Sequence, residues 1–317
     1  MKRQYKYILK PLSLFSDIFS ADTIFGTVCW YIRFLYGENT LISFLKEYDN
    51  NSIPIIISSL IPQGYMYKPQ LTFTLKDSIS EIESDKKLKN LKCISLELFE
   101  KYQKDYNQDL LIQELNLPEI EKIEPGQIDI TRNSISRITG MVRKGVLFTN
   151  SYYYNNVDGM CYNVYVTEFD DSYSDIFKNA FFTACQMGFG SDASTGKGIF
   201  DVKIDELDVI EKNIFGYQGK YFVTLSDCAG QNLQPLCYTT ITKYGKLGGE
   251  FSQKGINGQL LFNKKPIVLY KAGSTFFTTN GKNGKLLNNV HTDYRIRQYA
   301  YAYPVYFDYS NDVGITT

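Results

Sequence analysis

The stretch SDIFKNAFFTACQMGFGSDASTGKGIFDVKI, residues 174–204, decides the fold class predicted for this chain. Its pattern predicts a helix from Ser174 to Met187, which Gly188 ends, and a strand from residue 199 to 204. Between them lies the glycine loop, residues 188–198, with four glycines in eleven positions. The order helix, flexible turn, strand is the second half of a split β-α-β unit.

The N-terminal part supplies the first half of that unit. Tyr5, Tyr7 and Leu9 alternate with polar residues, which is typical of a half-buried strand. Asp22 is a good N-cap for a helix over residues 23–36, which a glycine follows. Further elements are predicted over residues 40–48 (helix), 53–59 (strand), and 145–154 with 160–168, which we expect to pair as a hairpin around residues 155–159.

Together these elements predict an α+β fold with the β-α-β-β-α-β order of a ferredoxin-like unit. Residues 76–124 are charged and weakly periodic, which indicates a helical insertion that ends at Pro125-Gly126. After residue 204 the chain alternates short strand patterns with Gly/Asn turns. We therefore predict an N-terminal domain over residues 1–205 and a β-rich C-terminal domain over residues 206–317.

The composition is that of a globular protein. Hydrophobic residues make up 44% and charged residues 21%, so the chain can bury a core and is not intrinsically disordered. Tyrosine (26 residues) suits half-buried strands and stacking surfaces. No stretch approaches the roughly 18 apolar residues of a membrane span, and the N-terminus lacks the apolar run of a signal peptide. We expect a soluble, cytoplasmic protein without a membrane partner.

Charge sums to zero but is segregated along the chain. Residues 125–157 and 243–297 carry net charges of +3 and +8, whereas residues 76–124 and 158–227 carry −4 and −7. Such blocks favour different partners for different faces, although solvated surfaces also segregate charge by chance. We expect the acidic tracts to meet basic partner proteins.

Metal and enzyme motifs are scarce. The six cysteines include no C-x-x-C pair and there is one histidine, His291, so no zinc site is expected and the cysteines are interpreted as reduced core thiols. Nothing resembles G-x-S-x-G, and His291 lies away from any nucleophile pattern. We expect no catalytic residue, no metal, no cofactor and no small-molecule substrate.

The glycine loop is suited to an extended anion. Glycines expose backbone N–H groups, Lys197 adds charge and the hydroxyls add donors. A nucleotide P-loop is excluded because Gly190 and Gly196 enclose five residues and Gly198 follows Lys197. The loop also follows a helix rather than opening one, so no helix N-terminus is aimed at it. A phosphate chain lying on the loop is one interpretation, and a plain turn without a ligand is the other.

Two further stretches carry candidate residues. In TRNSISRITG, residues 131–140, and on through residue 149, three arginines and a lysine are interleaved with Ser, Thr and Asn, which suits phosphate and base contacts; a solvated β-arm is the alternative. At the start of the first helix Ser20, Asp22 and Thr23 are good capping residues, and a plain N-cap explains them as well as a ligand does.

These motifs together resemble a known family. The SADTIFG stretch (20–26), the RNSISRIT arm (132–139) followed by GVLF (145–148), and GFGSDASTGKG (188–198) before a strand occur in this order in the Csm4 family, the Cas5-like RAMP subunits of type III-A CRISPR effector complexes. YAYAYPV, residues 299–305, is similar to the last core strand of that family. The resemblance covers most of the chain, and its specific part is the glycine loop with the arm.

The resemblance implies two ferredoxin-like (RRM-like) modules, a protruding β-hairpin arm over about residues 126–155, and a non-catalytic role. The subunit would hold the 5′ repeat-derived tag of the CRISPR RNA (crRNA) and contact the large polymerase-like subunit and a backbone RAMP subunit. Because the loop has one cation, affinity would depend on backbone N–H groups and on the +8 tract. The residues expected to contact RNA are Ser20, Asp22, Thr23, Arg132, Asn133, Arg137, Arg143, Lys144, Gly188, Phe189, Gly190, Ser191, Ser194, Thr195, Gly196, Lys197 and Gly198.

Two other functions stay open at this point. A crRNA-processing endoribonuclease of the same superfamily would need a general base, and His291 is the one histidine available. A protein-interaction module without an RNA role would pair with a large partner and leave the glycine loop free of RNA.

Overall fold

The structure is a computed structural model that describes residues 2–72, 88–115, 123–190, 192–248, 262–279 and 283–309, without the side chains of residues 143–146. Its helices include α1 (Ala21–Tyr36), α2 (Glu38–Asp49), α3 (Leu96–Tyr102), α4 (Gln108–Glu114), α5 (Ser174–Met187) and α6 (Val209–Gly216). Its strands include β1 (Arg3–Pro11), β2 (Ile55–Ile57), β3 (Ile61–Pro62), β4 (Tyr65–Tyr67), β5 (Cys93–Ser95), β6 (Gly126–Ile135), β7 (Val142–Tyr154), β8 (Tyr162–Glu168), β9 (Phe200–Glu206), β10 (Tyr221–Thr224), β11 (Gln234–Cys237), β12 (Thr240–Lys243), β13 (Ile267–Tyr270), β14 (Thr275–Phe277), β15 (Gly284–Leu287), β16 (Gln298–Tyr301) and β17 (Pro304–Phe307). The mixture confirms the predicted α+β class.

The first sheet has the strand order β2-β8-β1-β9, with β3 also paired to β8. Its neighbours are antiparallel, with Tyr7 opposite Val164 on one side and Ile204 on the other. α1 and α2 connect β1 to β2, and α5 connects β8 to β9. The order of elements around this sheet is thus β-α-β-β-α-β, and β9 lies at one edge.

Both faces of this sheet are covered. On one face the ring of Tyr7 stacks on Phe181 of α5, with ring centroids 4.0 Å apart. On the other face Tyr165 of β8 packs against Phe215 of α6, with centroids 4.8 Å apart. Every residue of β8 is buried, as expected for a strand with neighbours on both edges and both faces.

This burial explains why one predicted hairpin is wrong. We expected residues 145–154 to pair with residues 160–168, but β7 pairs with β6 and β8 pairs with β1, β2 and β3. β8 is buried throughout, whereas much of β7 is exposed, so the two strands belong to different environments. Nearness in sequence favoured the wrong partner.

The insertion predicted over residues 76–124 lies partly outside the described residues. Its described part contains β5, α3 and α4, and β5 pairs with β4 on the other side of the undescribed residues 73–87. Ser95 caps the N-terminus of α3, and its hydroxyl accepts the N–H of Leu98. The described segment therefore contains the helices that the charge pattern predicted.

The C-terminal half is rich in strands. A second sheet has the order β11-β14-β10-β17, and β12-β13 and β15-β16 form separate pairs. The largest hydrophobic cluster joins Tyr7 of the first sheet to Tyr221, Tyr299 and Phe307 of the C-terminal half, so the core is continuous through the chain. The division into two domains at residue 206, and a second ferredoxin-like module, stay predictions.

Candidate nucleic-acid interface

Four glycines with positive φ shape the glycine loop. Gly188 ends α5 with φ +95°, and Gly190, Gly196 and Gly198 have φ values of +92°, +77° and +69°. This region strongly favours glycine. A Cβ at Gly198 would collide with the carbonyl of Phe189, whereas the space around Gly196 is open. Glycine is therefore required at 198 both by φ and by a close approach of two backbone segments.

The two ends of the loop are tied together. The N–H of Phe189 donates to the carbonyl of Gly198 over 2.9 Å, and the N–H of Gly198 donates to the carbonyl of Leu14 over 2.8 Å. We call Gly188, Phe189 and Gly198, where the two ends of the loop meet, the neck. Hydrogen bonds of this length at the neck hold the loop in one shape. The neck is buried at Gly188, Phe189 and Gly198, so their backbone is not open to a ligand.

A short 3-10 turn, Ala193–Thr195, forms the outer part of the loop. The carbonyl of Asp192 accepts both the N–H and the hydroxyl of Thr195 at 2.9 Å, and the N–H of Gly196 donates to Ala193 over 3.0 Å. These donors are used within the chain, so the loop offers fewer free N–H groups than its glycine content suggests. The surface that remains exposed comprises Gly190, Ser194, Thr195 and Gly196.

The predicted contact of Phe189 with RNA is wrong, because its side chain is buried. Its side chain is 1% exposed and packs against Phe19, Phe181 and Phe200, with ring centroids 5.5–6.3 Å apart. A side chain in this position cannot stack on a base. Phe189 anchors the loop to the core. Burial of its ring stabilises the folded chain by about 1.5–3 kcal/mol.

The arm, β6 and β7 with their turn, is hydrogen-bonded to the glycine loop through Asp192. The hydroxyl of Tyr152 donates to Asp192 Oδ2 over 2.5 Å, and Asn150 Nδ2 donates to the same oxygen over 3.3 Å. The guanidinium of Arg132 forms an ion pair with Asp192 Oδ1 at 3.3 Å. The structure thus brings together the two stretches that the sequence singled out.

Two cations lie over one aromatic ring at this junction. Arg132 Cζ is 5.4 Å and Lys197 Nζ is 5.5 Å from the ring centroid of Tyr152, which is itself fully buried. The distances suit cation–π contact and place the two charges at most about 11 Å apart. With Asp192 included, the cluster carries a net charge of +1.

The outer arm extends beyond this junction. Asn133 and Arg137 are exposed, and Arg137 lies in the turn that connects β6 to β7. Apolar side chains around it are also exposed, and Ile138 is 96% exposed. The side chains of Arg143 and Lys144, and Ser191 as a whole, lie outside the described residues, so their predicted contacts stay predictions.

The start of α1 is engaged inside the molecule. α1 begins at Ala21 after Ser20, so Asp22 lies in its first turn rather than before it. Asp22 Oδ1 is 2.5 Å from Lys243 Nζ, and Lys243 also bonds Ser20 and Asp227, at 2.7 Å each. Although burial raises the pKa of Asp22, the ammonium of Lys243 outweighs it and brings that pKa below its usual value. Ser20 and Asp22 therefore join the N-terminal helix to the C-terminal half.

Thr23, the third candidate of this stretch, is exposed, and nothing in its surroundings tests its predicted role.

Much of the +8 tract is also used internally. Lys243 is paired as above, Lys264 Nζ donates to Gln298 over 2.7 Å, and Arg295 and Arg297 pair with Asp293 and Asp49. The exposed cations of this tract within the described residues include Lys246, Lys265, Lys271 and Lys285. Fewer cations are thus available to an anionic partner than the sequence count implies.

The surroundings of His291 do not favour a general base. Its imidazole is 8% exposed, and Nδ1 accepts the N–H of Asp293 over 2.9 Å. The ring therefore stabilises a turn. Among the described residues no three His, Cys, Asp or Glu side chains cluster to hold a metal ion, and no helix has the length and apolar content to cross a membrane.

Three residues at the contact between arm and loop were not predicted from the sequence: Asn150, Tyr152 and Asp192. Register would have found two of them, because Asn150 and Tyr152 share with Arg132 the ribbon face that meets the loop. Asp192 belongs to the glycine loop, and no local sequence signal marks it as the partner of an arginine.

Comparison of the fold with solved structures agrees with the resemblance of the motifs. The chain is similar to one in a crystal structure of a Csm1–Csm4 cassette in complex with pppApA, with a TM-score of 0.62, 16% identity, and coverage of 98% of this chain and 100% of that one. It is also similar to one in a Csm3–Csm4 subcomplex of the type III-A CRISPR-Cas interference complex, with a TM-score of 0.61, 16% identity, and coverage of 96% and 99%. Csm4 is the component common to both complexes. This chain has a Csm4-like fold.

The Csm4-like fold extends over nearly the whole chain, which agrees with a resemblance carried by motifs from residue 20 to residue 305. No family model matches the sequence, and no curated protein matches it either. At 16% identity the feature shared with these chains is the fold.

Proposed function

We propose that this Csm4-like chain is a non-catalytic RNA-binding subunit of a type III-A CRISPR effector complex. It holds the 5′ repeat-derived tag of the crRNA on the glycine loop and the arm, and connects the large polymerase-like subunit to the backbone subunits. The observation that carries this proposal is the convergence of Arg132 and Lys197 over Tyr152, where arm and loop meet.

The chemistry of the junction suits a single-stranded phosphate backbone. Guanidinium and ammonium groups neutralise phosphates, and the exposed hydroxyl of Ser194 can donate to phosphate or 2′-hydroxyl oxygens. Arg137 and Asn133 extend the polar surface outward along the arm. A short, unpaired RNA tag offers such donors its backbone and splayed bases.

Solved complexes of similar chains support the proposed protein partners. The similar chains were solved as Csm1–Csm4 and Csm3–Csm4 complexes, so a large subunit and a backbone subunit are the expected neighbours. On this chain the edge strand β9 exposes Asp201, Asp205 and Glu206, which suit a basic protein surface. Charge reversal at these three residues should weaken assembly at physiological salt, and intact assembly would overturn this part of the proposal.

RNA binding is tested by salt dependence. Affinity of the purified chain for a tag oligonucleotide is measured over a salt series for the wild type, for Lys197→Ala, and for Lys197→Ala combined with Arg137→Ala. Each lost phosphate contact should lower affinity and reduce the slope of log K against log salt by about 0.7. Lys178→Ala, which removes an exposed cation from α5 away from the loop, is the matched control and should bind as the wild type does.

The other two functions are outcomes of the same experiments. Unchanged binding by the double variant would refute the proposed site. Metal-independent cleavage of repeat RNA that is lost in His291→Ala would instead establish an endoribonuclease. A stable complex with a large partner, without RNA crosslinks to the loop, would establish a protein-interaction module.

A further inference from the structure

Asp192 is bonded to three parts of the molecule at once. Its carbonyl accepts the N–H and hydroxyl of Thr195 and so closes the turn of the glycine loop. Its carboxylate accepts from Tyr152 and Asn150 on β7 and pairs with Arg132 on β6. The side chain of Asp192 is 18% exposed, so these contacts are shielded from bulk water in part.

The contacts of Asp192 extend outward along the arm. At the base, the backbone of Tyr153 exchanges hydrogen bonds of 2.7 and 3.1 Å with Phe15, which fixes the ribbon to the core. Ile128 is the partner of Tyr152, and Arg132 lies four residues beyond Ile128, about 13 Å further along the strand. Asp192 therefore holds a part of the arm that the contact at its base does not reach.

We propose that Asp192 is a positioning residue that fixes the arm against the glycine loop and so sets the spacing of the two cations that receive RNA. This inference rests on the proposed function and names how its site is preorganised. An isolated two-stranded ribbon is only marginally stable in water, so an arm without this contact samples many orientations. Ordering it on binding would then cost affinity.

A role of Asp192 through its charge and a role through positioning the arm predict opposite changes in RNA affinity when Asp192 is removed. If Asp192 acted through its charge alone, it would repel phosphate, and its removal would raise RNA affinity. If it acts by positioning, its removal lowers affinity although the local charge becomes more positive. The hydrogen bonds that the carboxylate accepts from Tyr152 and Asn150 favour positioning, because they fix geometry and leave the cluster with a net charge of +1.

The first test leaves all charges in place. Tyr152→Phe keeps the ring beneath both cations and deletes the hydroxyl that donates to Asp192. We expect affinity for the tag RNA to fall by roughly three- to tenfold with an unchanged salt slope, because no phosphate contact is lost. Tyr153→Phe is the matched control, since the Tyr153 hydroxyl has no hydrogen-bond partner within the described residues; it should bind as the wild type does.

The second test compares two carboxylates by RNA affinity and by hydrogen exchange of the RNA-free chain. Asp192→Ala should weaken RNA binding and raise amide exchange in residues 126–154, with α5 and β1 unchanged. Asp175→Ala removes an exposed carboxylate from the first turn of α5, and should do neither.

Tighter RNA binding by Asp192→Ala with unchanged exchange in the arm would overturn the proposal. If that variant does not fold, Tyr152→Phe decides alone, and wild-type affinity in Tyr152→Phe overturns it. The hydrogen-exchange result stands without RNA: a wild type that fails to bind the tag refutes the proposed function, whereas the exchange pattern still decides whether Asp192 holds the arm.

Discussion

Substitution of Gly198 by alanine tests whether the neck of the glycine loop depends on a close backbone approach. With φ +69°, alanine at 198 adopts a left-handed conformation that costs about 1 kcal/mol. Its Cβ would also collide with the carbonyl of Phe189, and relief of that overlap strains the 2.9 Å hydrogen bond between the two residues. A forced backbone shift of this kind costs about 1–3 kcal/mol more, so the total is about 2–4 kcal/mol.

Gly196→Ala is the matched control for this change. Gly196 has φ +77°, but nothing lies within 4 Å of the Cβ that alanine would add. It should therefore lose only the conformational cost, about 1 kcal/mol. The free energies of unfolding are compared in guanidinium chloride. Equal losses for the two variants would refute the close approach at the neck.

Three other substitutions test the interior contacts. Lys243→Ala leaves the carboxylates of Asp22 and Asp227 without their cation and should cost about 3–5 kcal/mol of unfolding free energy, and the loss should shrink when Asp22→Asn is added. Burial lowers the pKa of Lys264 from its ordinary 10.5 to about 8 in the folded chain, so the unfolded chain binds more protons between these two pH values. The free energy of unfolding should therefore rise with pH from about 8 to 10.5. In urea unfolding over a pH series, Lys264→Met should flatten this rise. Phe189→Ala should cost about 3–5 kcal/mol by leaving a cavity, whereas Phe189→Leu should cost less than about 1.5 kcal/mol and keep the wild-type affinity for tag RNA in the binding assay; a loss of affinity in folded Phe189→Leu would restore a stacking role.

Local signals predicted the helices and the loop. Gly37 and Gly188 end α1 and α5 as predicted, because glycine adopts the positive φ of a helix C-terminus without strain. The glycine spacing of the loop marked real constraints on φ. Helix ends and glycine φ values depend on residues close in sequence, so they can be predicted from the sequence of one chain.

Features that depend on distant partners were harder to predict. β7 and β8 are consecutive, yet β8 is the buried strand between β1 and β2, and burial cannot be seen from alternation alone. Likewise Asp22 has the sequence signature of a cap, but Lys243, more than two hundred residues away, determines its role. Phe189 lies in a glycine-rich loop between Gly188 and Gly190, which predicted an exposed side chain, although its ring is buried in the core.

The position of RNA on the molecule is measured most directly by photo-crosslinking. A crRNA carrying 4-thiouridine at successive positions of its 5′ tag is bound to the full chain, alone and in the assembled complex, and crosslinked peptides are identified by mass spectrometry. RNA held where the arm meets the glycine loop should crosslink to residues 188–198 and to the arm, residues 126–154. Crosslinks confined to other surfaces, with none to either segment, would contradict this prediction.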